Sequence, residues 1–298
     1  MSQDRIDQMA LFARIVECGS FARAARELGI ARSSATEAIK RLERDTGTRL
    51  LARTTRQVRP TAEGEEFHHR VRDILRAVED AYDTFRGGDP RGHLRLDAPG
   101  LLTRTFLLPR LPDFLARHPE LSVEFGQSDR LVDLVREGVD CALRVGTLDD
   151  SSLRLRPLGL LPEITCASPA YLETHGVPRD IDDLEGHRMV GFVSSRTGKV
   201  MPLEFRRDGR VETRPLPARV TSDSADTAAE LAARGLGLIQ APRYRFEARL
   251  AAGSMVEVLA DTPPEPMPLS AIYAGNRRLS RRLDAFLDWA AEAFAELS

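Results

Sequence analysis

Hydroxyl and cationic side chains recur at helical spacing a short way into the chain. The residues on this face are Arg32, Ser33, Thr36, Lys40 and Arg44. Guanidinium, ammonium and hydroxyl groups hydrogen-bond to base edges and phosphate oxygens in the major groove of DNA. Ile39 and Leu42 fall on the opposite side, where we expect them to face a core. The spacing therefore predicts a helix that presents a polar, basic face to DNA.

A second basic cluster follows directly. Segments 49–53 and 57–59 are typical of two short strands joined by a turn at 54–56, and the cluster comprises Arg49, Arg53, Arg56 and Arg59. Residues 1–64 carry twelve Lys or Arg against eight Asp or Glu, a net charge of +4, whereas the rest of the chain sums to −6. A basic end favours phosphate binding, although a solvated basic face would have the same charge.

Glycines and apolar spacing mark the elements that position this helix. A first helix is predicted by Met9, Phe12, Ala13 and Val16. It ends at Gly19, and Ser20 is a suitable N-cap for a second helix that stops at Gly29. The third helix is predicted to open within 31–34 and to end at Gly47. The order is helix, turn, helix, then a hairpin wing.

The stretch 12–64 resembles the winged helix-turn-helix of LysR-type transcriptional regulators. The resemblance rests on Gly19-Ser20-Phe21, Ala24-Ala25, Leu28, Ile39, Leu42-Glu43, Gly47, Leu50, Arg53, Thr61 and Gly64. It implies double-stranded operator DNA as the partner. The DNA-binding residues that follow from the face and the resemblance together are Ser20, Arg32, Ser33, Ser34, Thr36, Lys40, Arg41, Arg53 and Arg56.

The chain departs from the family pattern at four positions, where Ala31, Arg32, Thr36 and Leu51 replace the usual Ser or Thr, Gln, Ser and Phe. Loss of the usual N-cap at Ala31 predicts a late helix start, capped by Ser33 or by the box Ser34-x-x-Glu37. If Arg32 reaches a base it favours guanine, whereas Gln favours adenine. The alternative, that Arg32 contacts only phosphate, stays open.

A long helix is predicted over 65–86, where no Gly or Pro intervenes. Its apolar seam consists of Phe67, Val71, Ile74, Val78, Ala81 and Phe85. The seam is under three heptads long, so it indicates either a dimerising helix or an amphipathic helix that packs on its own domain. The resemblance favours a dimer, and a tetramer is expected from the resemblance alone. The glycine-rich segment 87–92 then predicts a hinge.

The rest of the chain alternates strands and helices, which predicts a parallel sheet with helices on both faces. Expected elements include helices over 106–117 and 131–137 and a strand over 158–166. With crossovers near 165 and 267, the segments 93–164 plus 267–298 and 165–266 resemble the two lobes of the family's effector domain, which is similar to periplasmic binding proteins. The chain is thus predicted to be an α+β multidomain protein: winged helix (1–64), linker helix, hinge and two-lobed α/β effector domain.

Ligands of open α/β sheets bind beyond the carboxyl ends of the strands, and the resemblance points to the same cleft between the lobes. The candidate residues for a small-molecule effector are Gly100, Leu101, Leu102, Thr103, Gln127, Ser128, Arg144, Ser194, Thr221, Ser222 and Asp223. Arg144 is suited to a ligand carboxylate, whereas Asp223, where the family often has Asn, disfavours an anionic ligand. For each residue a turn or capping role is the alternative.

Other function classes find little support. No nucleotide-binding, zinc-hydrolase or serine-hydrolase motif occurs, Gly235-x-Gly237 follows a helix, and the pairs Asp149-Asp150 and Asp182-Asp183 lie in turn-like segments, so we expect no enzyme and no cofactor. Cys18, Cys141 and Cys166 are too widely spaced for a metal site.

A transport-type solute-binding protein is the alternative suggested by the C-terminal two-thirds. The basic N-terminal domain and the absence of an export signal oppose it, and with no apolar stretch of membrane-spanning length we expect a cytoplasmic protein without membrane contact. RNA polymerase is a further candidate partner by resemblance.

Overall fold

The structure, a computed structural model, describes residues 2–53, 58–86, 88–130, 132–134, 136–147, 153–275 and 279–295. The chain forms two compact units, Met1–Gly88 with Val135–Gly138, and Asp89–Leu134 with Val139–Ser298. Among the described helices, none is long and apolar enough to cross a membrane.

The N-terminal unit is a helical core with a hairpin attached. Its elements are α1 (Ser2–Cys18), α2 (Phe21–Glu27), α3 (Arg32–Thr46), β1 (Leu51–Arg53), β2 (Val58–Pro60) and α4 (Ala62–Arg86). The predicted faces converge, since Phe12, Phe21, Ala24, Ile39 and Leu42 are buried together in one cluster. Gly29 and Gly47 have φ of +67° and +70°, the left-handed backbone that lets the chain leave α2 and α3 abruptly.

The predicted late start of α3 is wrong. The helix begins at Arg32, and Ala31 occupies the N-cap position without a side-chain hydrogen bond. Glu37 does not reach back in a capping box, because its Oε1 accepts a hydrogen bond from Lys40 Nζ at 2.8 Å. The first turn is exposed, so water can satisfy its free N–H groups, while packing of the buried Ala35 holds the helix.

The linker helix α4 begins at Ala62, three residues before the predicted start, and its first turn is fastened to the hairpin. Thr61 Oγ1 accepts a hydrogen bond from Gly64 N–H at 3.0 Å and donates one to the carbonyl of Arg49 at 2.7 Å. A Cβ on Gly64 would lie 1.9 Å from the Leu50 carbonyl oxygen. The close approach of helix and hairpin therefore requires glycine at this position.

The predicted apolar seam of α4 divides into two parts. Val71 is fully buried and Phe67 packs on the same N-terminal core, so this half belongs to its own domain. Farther along, the seam residue Ile74 is 42% exposed, and Tyr82, which lies outside the seam, is 58% exposed. The first half of the seam therefore packs on its own domain, and dimerisation through the second half stays a prediction.

The C-terminal unit contains two groups of sheets. Its strands are β3 (Gly92–Asp97), β4 (Leu121–Gly126), β5 (Cys141–Val145), β6 (Leu153–Leu161), β7 (Glu163–Ala167), β8 (Val190–Phe192), β9 (Leu203–Arg207), β10 (Arg210–Arg214), β11 (Val220–Ser222), β12 (Ile239–Pro242), β13 (Val256–Val258) and β14 (Met267–Ala274). Its helices are α5 (Gly100–Leu102), α6 (Leu111–Arg117), α7 (Pro169–His175), α8 (Ala225–Ala233), α9 (Glu247–Ala251) and α10 (Arg281–Ala293), with a π-helical turn over Thr103–Leu107 and a 3₁₀ turn over Arg243–Arg245.

The first lobe is built on a mixed sheet. Among the described strands the order is β4-β3-β5-β14-β6. β3, β4 and β5 are parallel, as predicted, but β14 runs antiparallel to both β5 and β6. The expectation of an all-parallel sheet was therefore wrong, because β14 enters from the opposite end when the chain returns from the second lobe. α10, which begins after the N-cap Ser280, packs Phe286, Leu287 and Trp289 into this core.

Three predicted elements differ from the structure. The strand over 158–166 is two strands in different sheets, β6 and β7, separated at Pro162, which has no N–H to continue a ladder. The helix over 106–117 begins earlier, at Gly100, and is interrupted before α6. In 131–137 the described residues form no helix; Val132 and Leu134 are buried beside Ala142 instead.

The second lobe combines antiparallel and parallel pairs. β7 lies between β12 and β13, antiparallel to both, and β8 pairs with β11 in parallel. β9 and β10 form an antiparallel hairpin. α8 begins after Ser224, whose Oγ accepts a hydrogen bond from Thr227 N–H at 3.3 Å. The second sheet begins at Glu163, two residues before the predicted lobe boundary.

Candidate nucleic-acid interface and effector cleft

The exposed face of α3 brings together most of the predicted DNA-binding residues. Ala35, Ile39 and Leu42 are buried at spacings of four and three residues. The exposed residues of the same helix include Arg32, Ser33, Ser34, Lys40 and Arg41, while Thr36 is half-buried. The periodicity of the apolar residues therefore turns hydroxyl and cationic groups outward together.

The cations on α3 are not equivalent. Lys40 forms an exposed ion pair with Glu37, and the hydrogen bond from Lys40 lowers the pKa of the Glu37 carboxyl. The guanidinium of Arg32 has no partner among the described residues, and only its backbone carbonyl is engaged, by the Thr36 hydroxyl at 3.0 Å. Arg32 therefore presents all its side-chain donors at the N-terminal end of the helix.

Ser20 has a structural role as well as the predicted one. It is the N-cap of α2, and its Oγ accepts a hydrogen bond from Arg23 N–H at 3.4 Å. Nearby, Glu27 accepts hydrogen bonds from Arg14 and Arg23, and the bond from Arg23 is the largest cause of its lowered pKa. Glu27 was not predicted, since nothing in its spacing shows that two helices bring these arginines to it.

The wing is joined to α3 by a residue that the site prediction missed. Glu43 Oε1 accepts hydrogen bonds from the backbone N–H groups of Leu50 and Leu51, at 2.9 and 3.1 Å. The hairpin pairs Arg53 with Val58, but the side chain of Arg53 and all of Arg56 lie outside the described residues. Glu43 was visible only as part of the Leu42-Glu43 match.

In the first lobe, Arg144 already has a carboxylate partner. Its Nη2 contacts Asp97 Oδ1 at 2.5 Å, and the two side chains are only 4% and 8% exposed. Ser128 Oγ donates to the same Asp97 oxygen at 2.8 Å, and Arg144 Nη1 donates to the Leu143 carbonyl. Arg144 and Ser128, both predicted to contact an effector, are thus brought together by a carboxylate of the chain itself.

The remaining candidates in this lobe lie around the start of α5. Leu102 and Thr103 are fully buried, and the Thr103 hydroxyl donates to the Pro99 carbonyl at 3.1 Å. Gly100 lies against the Gln127 amide, whose Oε1 would be 3.0 Å from a Cβ there. Gly100, Leu101 and Gln127 are at least partly accessible, whereas Leu102 belongs to the core.

In the second lobe the predicted hydroxyls are used locally. Ser194 Oγ accepts from Arg196 N–H, and Ser222 Oγ accepts from Ser224 N–H at 3.0 Å. Thr221 borders an apolar pocket of about 470 Å³; the lining residues are Met189, Val200, Pro202, Thr213, Pro215, Leu216, Ala218 and Thr221. Asp223 is exposed, with no partner among the described residues.

Polar contacts that the sequence did not reveal join the two lobes. Asp129, just after β4, accepts a hydrogen bond from Ala225 N–H at the start of α8, at 2.9 Å. Arg104 of the first lobe pairs with Asp226 at 3.1 Å, and Asp226 also pairs with Arg245 at 2.6 Å. These contacts define an interlobe latch consisting of Arg104, Asp129, Ala225, Asp226 and Arg245.

Two family models match the chain. Residues 6–65 match the bacterial regulatory helix-turn-helix protein of the lysR family, and residues 87–295 match the LysR substrate binding domain. The chain is 36% identical over 295 residues to the HTH-type transcriptional regulator YhjC of Escherichia coli K12, covering 98% of this chain and 99% of that protein.

Solved structures show the same architecture. CrgA, a LysR-type transcriptional regulator from Neisseria meningitidis, has 30% identity and a TM-score of 0.60, with 97% of this chain and 98% of that chain covered. The Vibrio cholerae virulence activator AphB has 25% identity and a TM-score of 0.60, with 96% and 98% covered. The helix-turn-helix, the two-lobed domain and these similarities together show that the chain belongs to the LysR family of transcriptional regulators.

Proposed function

We propose that the protein binds operator DNA sequence-specifically through α3 and the wing. The main support is the exposed face of α3, whose hydroxyl and cationic groups lie on the opposite side of the helix from the buried Ala35, Ile39 and Leu42. The hydrogen bonds that Glu43 accepts from the backbone N–H groups of Leu50 and Leu51 hold the wing against this helix. A helix and a wing held together in this way can contact a major groove and the adjacent phosphates.

Arg32 is the residue that we assign to base reading. It is exposed, it opens α3, and its guanidinium is free of partners among the described residues. A bidentate contact with guanine O6 and N7 is the commonest specific contact of arginine in DNA. We assign phosphate contacts to Ser20, Lys40, Arg41, Arg53 and Arg56, and groove contacts to Ser33, Ser34 and Thr36.

The cleft between the lobes is the proposed effector site. It has accessible groups at Gly100, Leu101, Gln127 and Asp223, and the latch offers a contact set that an effector can strengthen or disrupt. Binding to one arrangement of the lobes would shift the population of that arrangement and so alter operator affinity. Because the target is operator DNA, we infer that the protein works in the bacterial cytoplasm.

A homodimer is proposed through the distal half of α4, where Ile74 and Tyr82 are exposed. Burial of these side chains against a second copy would remove apolar surface from water, and a two-fold dimer suits a palindromic operator. Light scattering of wild type and of Ile74→Lys tests this, since a dimer held here should dissociate in the variant.

Fluorescence anisotropy with DNA from upstream of the chain's own gene tests the DNA-binding proposal. We expect sequence-preferring binding that weakens steeply with salt. Arg32→Ala should weaken binding about 5- to 150-fold at one base position, about 1–3 kcal/mol, and leave other base preferences unchanged. Arg32→Gln should move the preference at that position towards adenine.

Arg219→Ala is the matched control, because Arg219 is an exposed arginine of the C-terminal unit with no partner among the described residues. It removes the same charge and should leave operator affinity unchanged. An equal loss on every sequence for Arg32→Ala would assign Arg32 to phosphate. Absence of any sequence-preferring, salt-sensitive binding by the dimeric wild type would overturn the proposed function.

A further inference from the structure

Three arginines near the lobe boundary, Arg104, Arg144 and Arg245, each contact a carboxylate of the chain itself. The buried guanidinium of Arg144 faces Asp97, which also accepts from the Ser128 hydroxyl, while Arg144 Nε has no partner among the described residues. A ligand carboxylate in this place would have to displace Asp97 or lie beside it. Two carboxylates that share a buried site disfavour each other's charged form, so the place is closed to an anion.

The N-terminus of α8 is occupied in the same way. A helix N-terminus attracts anions because its first N–H groups are free and the helix dipole is positive there. Here Asp129 Oδ2 accepts from Ala225 N–H at 2.9 Å, and Ser224 Oγ accepts from Thr227 N–H. Asp226, in the first turn, adds a second negative charge at the same end.

Asp226 pairs with two further arginines, Arg104 through Oδ2 and Arg245 through Oδ1. Asp223 then adds a carboxylate with no cationic partner among the described residues. Three arginines, Arg104, Arg144 and Arg245, thus lie beside Asp97, Asp129 and Asp226, and Lys199 is an exposed cation of the flanking loop. Arg130 and Arg196 lie on the flanking loops, and neither is free.

One buried polar group beside the latch is still unsatisfied. The Tyr244 hydroxyl has no partner among the described residues, and its ring packs edge-on against Phe106 at 5.2 Å. Burial is the main cause that raises the pKa of this phenol to about 12; Arg245 opposes the shift, and Asp129 and Asp226 add to it. The phenol is thus a neutral hydrogen-bond donor beside carboxylates.

We infer that the effector of this cleft is a neutral or cationic molecule, and that the chain's own carboxylates fill the places where a carboxylate effector would bind. The inference rests on the proposed function, since it names the ligand class of the proposed effector site. In physical terms, the carboxylates of Asp129 and Asp226 take the positions that the carboxylate of an anionic ligand would take.

Chemical rescue tests this without a known effector. Asp129→Ala removes the carboxylate from the start of α8, and acetate matches the group that is lost. In the full-length protein we expect sodium acetate, compared with sodium chloride at equal ionic strength, to raise the melting temperature of this variant by about 3 °C. Wild type should not respond, because its own carboxylates occupy the site.

Asp226→Ala is a second test variant, which frees Arg104 and Arg245 and should respond to acetate in the same way. The matched control is Glu173→Ala, an exposed carboxylate on α7 with no partner among the described residues, and it should not respond. Asp97 is left unchanged here, because its loss would strand the buried Arg144.

The inference is overturned if acetate stabilises neither Asp129→Ala nor Asp226→Ala, or if it stabilises wild type to the same extent. A matched set of benzoate, benzamide and benzylamine adds a second test on wild type by calorimetry. Tighter binding of benzamide or benzylamine supports the inference, and tighter binding of benzoate contradicts it. Operator binding is measured on the same preparations, so a failure of the DNA-binding proposal is seen separately.

Discussion

Replacement of Gly64 by alanine should destabilise the N-terminal unit, although alanine is the better helix former. Gly64 lies in the first turn of α4, where alanine would gain about 1 kcal/mol of helix propensity. Its Cβ, however, would lie 1.9 Å from the Leu50 carbonyl oxygen and 3.2 Å from Pro60 Cβ. The backbone would have to separate by more than an ångström, so the steric term decides the sign.

The magnitude follows from what that separation disrupts. Overpacking in a tight core costs about 1–3 kcal/mol. The Leu50 carbonyl also accepts from Thr61 N–H at 3.0 Å, and Gly64 N–H donates to Thr61 Oγ1 at 3.0 Å. Weakening both bonds adds about 1 kcal/mol each. After the propensity gain is subtracted, we expect Gly64→Ala to lower the free energy of unfolding by about 2–4 kcal/mol.

Urea denaturation of the full chain separates the two units. Trp289 is the single tryptophan and is buried in the C-terminal core, so its fluorescence reports that unit alone. Hydrogen exchange of peptides from 36–72 reports the N-terminal unit. We expect lost protection there, weakened operator binding and an unchanged Trp289 transition. Ala77→Gly, at an exposed site of α4, is the control and should cost about 0.5–1 kcal/mol.

A loss below about 1 kcal/mol for Gly64→Ala would refute this reasoning. It would mean that the helix and the hairpin separate without weakening either hydrogen bond. A shift of the Trp289 transition as large as the loss in the N-terminal unit would also refute it, because the nearest atoms to a Cβ on Gly64 belong to Leu50 and Pro60 of the N-terminal unit.

Three further predictions concern buried groups of the C-terminal unit. Asp97→Ala leaves the guanidinium of Arg144 buried without its carboxylate, so the free energy of unfolding, measured by Trp289 fluorescence, should fall by about 3–5 kcal/mol. The double variant Asp97→Ala, Arg144→Met should recover this loss, and a small loss in the single variant would contradict the pairing. Burial, with the charge of Glu204 adding, raises the pKa of Glu163 from 4.5 to about 8, so the folded state holds its proton more tightly and stability declines as pH rises from 4.5 to 8. Glu163→Gln should abolish that decline and gain up to about 4 kcal/mol near pH 8, and an unchanged pH profile would count against it. Burial raises the pKa of the Cys166 thiol to about 12 and also raises the pKa of the Cys141 thiol. In the native protein a thiol reagent should therefore react rapidly with at most the half-buried Cys18, and with all three cysteines after denaturation. Rapid reaction of two thiols in the native protein would contradict this burial.

The DNA-reading half of the protein could be predicted well because its signals are local. The burial of Ile39 and Leu42 follows from their spacing, and the end of α3 at Gly47 follows from a backbone that only glycine adopts freely. The predicted late start of α3 is wrong, because the packing of the buried Ala35 stabilises the first turn without a side-chain cap. Local propensity is a weak guide where tertiary packing supplies most of the helix stability.

The sequence predicts which loops border the proposed effector cleft, but not which charged groups contact each other there. Loops after strands can be found from the alternation of elements; Gln127 and Ser128 lie in the loop after β4, whereas Arg144 lies within β5. Their partners could not be found, because Asp97 is 47 residues from Arg144 and Asp129 is 96 residues from Ala225. Nothing in the spacing of charged residues indicates which carboxylate reaches which cation.

The sequence by itself determined the helix-turn-helix, the hairpin wing, the linker helix and the general alternation of strands and helices in the C-terminal unit. These follow from hydrophobic periodicity and from glycine and proline at turns, which act over a few residues. Only the tertiary structure decided the direction of β14, the separation of β6 from β7, and the pairing of Arg104, Arg144 and Arg245 with carboxylates of the chain. Those outcomes depend on which distant groups are buried together, because a buried charge must find its counter-charge wherever the fold places one.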